Sequence, residues 1–127
     1  MEVRYLYDTN IFLYHLSGEP KVHRLFDKQF LEDNHVGTSR MIRIELLSFP
    51  ELTPKEENII EEMLGQFTMV PISNEIEDIA IYLRRKYSLR IPDAIIAATA
   101  YQSSSTLVTH DVKDFKRVTE IRVYDPF

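Results

Sequence analysis

Short apolar runs alternate along the chain with stretches of helical periodicity, and that alternation restricts the fold more than any other feature. Residues 3–7, 68–72, 106–109 and 121–124 read as strands of a few residues each, and His35-Val36-Gly37 as a brief strand or turn. Helical patterns occupy 10–17, the stretch from Pro20 to about Leu31, the stretch from the Thr38-Ser39 cap to Ser48, the stretch from Thr53-Pro54 to about Phe67, then 75–87 and 92–102. Short strands separated by helices are joined by crossovers, so the sheet is expected to be parallel and covered on both faces. The expected architecture is an α/β three-layer sandwich with a short central parallel sheet of about four or five strands, and residues 1–127 are read as a single domain.

The bulk numbers exclude several classes. With 44% hydrophobic and 28% charged residues the chain is read as folded and soluble. It has no cysteine, which removes disulfides and thiolate zinc sites. No apolar stretch nears the roughly 18 residues a membrane span requires, and the start, Met1-Glu2-Val3-Arg4, lacks a secretion-signal pattern. A cytoplasmic protein is expected. The net charge of −5 is the wrong sign for gripping nucleic acid by overall charge. Any basic contribution must be local, from Arg84-Arg85-Lys86 with Arg90, or from Lys21, His23, Arg24, Arg40 and Arg43.

Four acids occupy positions where a carboxylate is costly unless something positive joins it. Asp8 ends the first apolar run. Glu45 has Met41, Ile42, Ser48 and Phe49 as its helical neighbours, a mostly apolar set. Asp93 opens a helix whose residues Ala94 to Ala100 carry only Thr99 as a polar group, and Asp111 follows the run 106–109. Each also has an ordinary reading as a helix cap, a dipole partner or one half of a salt bridge. In parallel α/β sheets, ligands bind beyond the carboxyl ends of the strands, where Asp8 and Asp111 both fall. Taken together, and without clustered histidines, the acids favour a hard oxygen site for Mg²⁺ or Mn²⁺. Such a site points to phosphodiester chemistry.

At these residues the chain resembles the PIN-domain family, and within it the VapC-type toxin ribonucleases. The resemblance covers nearly the whole length. It rests on Leu6-Tyr7-Asp8-Thr9-Asn10-Ile11, Ile44-Glu45-Leu46-Leu47, Ile91-Pro92-Asp93-Ala94-Ile95-Ile96-Ala97-Ala98, and Leu107-Val108-Thr109-His110-Asp111-Val112-Lys113-Asp114-Phe115. It implies that Asp8, Glu45, Asp93 and Asp111 form a catalytic, metal-binding acidic site. Thr9, Asn10 and Thr109 would support it, and Asp114 is the alternative to Asp111 as the fourth acid, with Asp111 ranked first. His110 is given no catalytic role.

The resemblance also implies endonucleolytic cleavage of RNA with Mg²⁺ or Mn²⁺, a homodimer and a cognate antitoxin. An antitoxin would block the acidic cleft. Phe12, Leu13 and Leu16 are read as a homodimer face, and Tyr14, Tyr82, Tyr87 and Tyr101 as aromatics available for stacking on RNA. The alternatives are a PIN nuclease serving RNA processing or maturation, or a non-catalytic module that binds RNA or protein.

Overall fold

The computed structural model describes residues 2–127. Strands β1 (Tyr5–Tyr7), β2 (Val36–Ser39), β3 (Thr68–Val70), β4 (Thr106–Val108) and β5 (Arg122–Tyr124) form one sheet in the order β3-β2-β1-β4-β5. Every neighbouring pair is parallel. Helices α1 (Thr9–Leu16), α2 (Lys28–Asn34), α3 (Arg40–Leu47), α4 (Pro54–Leu64), α5 (Asn74–Tyr87), α6 (Ile91–Gln102) and α7 (Val112–Phe115), with a 3-10 helix at Pro20–Phe26, flank it. The expected α/β architecture with a central parallel sheet is therefore present. None of these helices is long and apolar enough to cross a membrane.

Local sequence explains most of the helix starts. The Ser39 hydroxyl accepts the Met41 N–H at 3.1 Å and the Ser73 hydroxyl accepts the Ile76 N–H at 3.2 Å. Thr53 and Glu56 form a reciprocal capping box around Pro54. The stretch from Pro20 to Leu31 departs from expectation. It is not one helix but a 3-10 helix and then α2, broken at Asp27, whose backbone is extended (φ −62°, ψ 134°). The apolar residues Val22 and Leu25 are three apart, a spacing that suits three residues per turn as well as 3.6.

Side chains of β1 alternate between two buried faces. Tyr7 points toward the 3-10 helix, where its hydroxyl donates to the Leu25 carbonyl at 2.6 Å. Its ring packs edge-on against Phe26 and Phe67, each with centroids 5.5 Å away. Leu6 and its β4 partner Leu107 are fully buried on the opposite face. Phe12 belongs to the aromatic cluster, 5.0 Å from Phe67 and 5.6 Å from Phe26, and is fully buried. This corrects its assignment to a dimer face. Leu13 and Leu16, on the outer side of α1, are exposed.

The strand order makes the site. Connections from β1 move one way to β2 and β3, whereas β4 and β5 lie on the other side of β1. The crevice at the carboxyl ends of β1 and β4 is the switch point where open α/β sheets bind ligands.

Gly37 in β2 permits the close approach of β3. A Cβ there would sit 2.9 Å from the Thr68 carbonyl oxygen and 2.9 Å from a Val3 methyl. Gly37→Ala is expected to lower stability in denaturant unfolding by about 1–3 kcal/mol, despite the loss of unfolded-chain entropy that usually favours alanine. An unchanged unfolding midpoint would show that β3 yields without strain.

Candidate active site

The site is assembled from the loops that leave β1 and β4. Asp8 is the N-cap of α1, and its Oδ1 accepts the Thr9 N–H at 2.8 Å. Its own N–H donates to the Val108 carbonyl at 3.0 Å, which continues the β1–β4 pairing to the last residue of the strand. The other oxygen, Oδ2, accepts the Thr109 hydroxyl at 2.8 Å and the Asn10 Nδ2–H at 3.3 Å. Thr109 is fully buried. Its hydroxyl oxygen also accepts the Asp111 N–H at 2.9 Å and the Asn10 amide at 3.2 Å. Asn10 Oδ1 accepts the His110 N–H at 3.2 Å, which fastens the two loops a second time.

Glu45 approaches from α3. Its Oε1 accepts the Thr9 hydroxyl at 2.6 Å. The buried stripe of α3 consists of Ile42 and Leu46. Glu45 is half-buried at the edge of that stripe rather than within it, and it forms no ion pair among the described residues. This removes the ordinary salt-bridge reading of this acid.

Asp93 comes from the first turn of α6, a helix buried along most of its length. The Arg90 guanidinium donates to Asp93 Oδ2 through Nε and Nη2, both at 3.2 Å. Asp93, Asp111 and Asp114 each present a carboxylate oxygen, and these oxygens lie within 4.8 Å of one another. Asp111 occupies the N-cap position of α7 without using its side chain as a cap. Asp114, read from sequence as secondary to Asp111, stands in the cluster beside it.

Electrostatics bind the group together. Burial pushes the Asp8 carboxyl up to about 6, against the Thr109 and Thr9 hydrogen bonds, and the negative charges of Asp93 and Glu45 add to the rise. Asp93 is also raised, by burial first and then by Asp111 and Asp114, while Arg90 opposes the rise. The Arg90 guanidinium is held charged by Asp93 first, and also by Asp111 and Asp114. All five acids thus fall in one electrostatic neighbourhood, and among the described residues Arg90 alone forms an ion pair with one of them. A hard divalent cation suits this all-oxygen donor set, since such ions take carboxylate ligands and neutralise their mutual repulsion.

Arg90 is the site residue that sequence reasoning assigned elsewhere, to a basic stretch with Arg84, Arg85 and Lys86. Its place three residues before Asp93, one helical turn away, was the available signal. Lys86 pairs instead with Glu120 at 2.9 Å. Of the four tyrosines singled out for stacking, Tyr14 has a ring contact with the site loop, 5.8 Å from His110. Tyr82 and Tyr101 are half-exposed and line a cavity together, away from the acids. His110 is held by Asp125, whose Oδ1 lies 3.0 Å from Nδ1.

Ribonuclease VapC2 of Methanocaldococcus jannaschii is 22% identical over 143 aligned positions, covering 98% of this chain and 95% of that protein. A chain of a toxin-antitoxin complex from Klebsiella pneumoniae superposes with a TM-score of 0.78 at 30% identity, covering 97% of this chain and 98% of the other. A chain of VapBC2 from Rickettsia felis, solved bound to a DNA fragment of its promoter, superposes with a TM-score of 0.83 at 21% identity, covering 95% and 97%. The family model described as PIN domain matches residues 5–121, and the chain belongs to the PIN domain family.

Proposed function

We propose that this chain is a metal-dependent endoribonuclease and the toxin of a toxin–antitoxin pair. The observation that carries the reading is the convergence of Asp8, Glu45, Asp93, Asp111 and Asp114 at the crevice beyond β1 and β4. The similarity to a named ribonuclease and to a chain of a toxin–antitoxin complex supports it. Asp8 and Asp93 are read as direct ligands of Mg²⁺ or Mn²⁺. Glu45 and Asp111, with Asp114, are read as holding water or a second ion. When bound, a divalent cation lowers the pKa of coordinated water and offsets charge on the phosphate.

The chain's own residues prepare that chemistry. Thr109 and the Thr9 N–H fix both oxygens of Asp8. The Thr9 hydroxyl orients Glu45 and Arg90 restrains Asp93. The carboxylates are thereby held in place before substrate arrives, which removes a reorganisation cost from the reaction.

Two exposed apolar surfaces support protein partners, because solvent-facing patches of this kind mark interaction sites. One groove, of about 290 Å³, is lined by Leu13, Leu16, Leu46, Phe49 and Ile59. The other, of about 380 Å³, runs between α5 and α6 past Ile81, Ile91 and Ile95. A second copy of this chain and a cognate antitoxin are the partners we assign to them.

Wild-type protein with Mg²⁺ or Mn²⁺ is expected to cut RNA internally. Asp93→Asn should reduce cleavage at least about 100-fold, given that even indirect supports of metal ligands cost 10–100-fold, and EDTA should abolish it. Activity that survives both treatments would overturn the metal-nuclease reading.

Asp8 fixes the sign of a pH effect. Its folded-state pKa, about 6, lies above the ordinary value of 3.8. Ionising it therefore disfavours the fold, and in EDTA the melting temperature should fall as pH rises from about 4 through 6. Above that window Asp8 is ionised and ready for a cation, so added Mg²⁺ or Mn²⁺ should raise the melting temperature more at pH 7 than at pH 5. An equal shift at both pH values would count against Asp8 as a ligand.

A further inference from the structure

We propose that a cavity of about 280 Å³ on the sheet face beside the acid cluster is a stacking subsite for one unpaired base of single-stranded RNA, next to the phosphate that is cut. Arg24 and Lys21 would hold the adjoining backbone phosphates. The proposal rests on the ribonuclease reading above and names where its substrate lies.

The cavity is walled by Tyr5, Val108 and Tyr124 of three adjacent strands, and by Arg24 and Phe30. Phe30 stacks on Tyr5 with centroids 6.2 Å apart and planes 29° apart, and the Arg24 guanidinium lies over Phe30 at 5.7 Å. Tyr124 is half-exposed. Small-molecule sites begin at about 300 Å³, so the space suits a single base. The Tyr5 and Tyr124 hydroxyls and the Arg24 guanidinium have no hydrogen-bond or ion-pair partner among the described residues. Aromatic faces with uncommitted donors beside them are what single-stranded RNA recognition uses.

Position ties the cavity to the acids. The Val108 carbonyl accepts the Asp8 N–H and the Tyr124 carbonyl accepts the Thr109 N–H, both at 3.0 Å. Two residues of the wall are therefore bonded directly to the acid loops. Phe127, stacked on His110 at 4.0 Å, also lies beside these loops, and the Lys21 ammonium sits 5.2 Å from its ring centroid.

Lys21 and Arg24 are three residues apart on a 3-10 helix, where side chains at that spacing eclipse. Both cations are thus presented on one side. Both are exposed, and neither forms an ion pair among the described residues. In a chain of net charge −5, two free cations laid against aromatic rings beside the acids suit a ligand that is both anionic and planar. An acidic protein segment would use the charges but not the aromatic wall of the cavity.

The test uses a single-stranded RNA oligomer carrying 4-thiouridine, irradiated with the whole protein in EDTA. Crosslinks should map to Tyr124, Tyr5 or Phe30. In anisotropy titrations with the same oligomer, Arg24→Ala and Tyr124→Ala should each weaken binding about tenfold. Tyr124→Phe, which keeps the ring and loses the hydroxyl, should weaken binding less than Tyr124→Ala, and Lys28→Ala, on an exposed position of α2, should bind as wild type does. In cleavage assays the two weakened variants should raise KM and leave kcat unchanged, with wild-type melting temperatures. Crosslinks confined to other surfaces, or wild-type binding by both Arg24→Ala and Tyr124→Ala, would overturn the subsite. The ribonuclease reading fails differently, by uncut RNA with Mg²⁺ or Mn²⁺, and crosslinks at the cavity would stand through that failure.

Discussion

The Thr109 hydroxyl is the small group on which the acid arrangement depends. A hydroxyl has one proton and two acceptor positions, and here all are committed. The proton goes to Asp8, and the oxygen receives Asn10 and the Asp111 backbone. One buried atom thereby links the end of β4 to the end of β1 and to the start of α7. This works only because β1 and β4 pair in parallel with Tyr7 opposite Val108, which brings the next residues of both strands side by side. Sheet register thus sets carboxylate geometry, and a buried acid that water would otherwise solvate is given hydrogen bonds in its place.

The acids differ in how their charge is met. Asp93 has Arg90, while Asp8 has only neutral donors and rises toward neutrality. Asp111 and Asp114 share the same guanidinium field at longer range. Among the described residues Arg90 alone forms an ion pair with one of the five carboxylates, so the cluster retains an excess of negative charge directed into one crevice. Such an excess lowers stability by mutual repulsion. It is understandable as the counterpart of a cation with two positive charges, and a purely structural network would have balanced the signs more closely.

Much of this was legible in the sequence, for identifiable reasons. Strand and helix positions followed from apolar periodicity and from caps such as Thr53-Pro54 and Ser73, because both are local signals. The meeting of Asp8 with Thr109 was legible only through the rule that parallel sheets gather ligands at strand carboxyl ends, since 101 residues separate the two. What escaped is tertiary in origin. The break at Asp27 comes just after Leu25 and Phe26 meet Tyr7 of β1, and the apolar spacing alone fits a continuous helix. Phe12 looks like surface from its neighbours Leu13 and Leu16, yet it completes an aromatic cluster with Tyr7, Phe26 and Phe67 that lie far apart in the chain. The pairing of Arg90 with Asp93 was within reach of the one-turn spacing rule, but the run of Arg84-Arg85-Lys86 before it drew the arginine into a surface reading.

The ordinary reading of these acids as caps and dipole partners does not compete with the proposed functional one. In a parallel sheet with helical crossovers, helices run opposite to the strands, so helix N-termini gather at the strands' carboxyl ends. Asp8 caps α1, Asp93 lies in the first turn of α6, and Asp111 stands at the cap position of α7. Each position favours an acid locally, because the helix end is partly positive and its first N–H groups lack partners. The same geometry delivers all three to one crevice. Local stabilisation near each helix start offsets part of the repulsion created when they meet, so the fold can hold a concentrated negative charge ready without a basic residue for each acid.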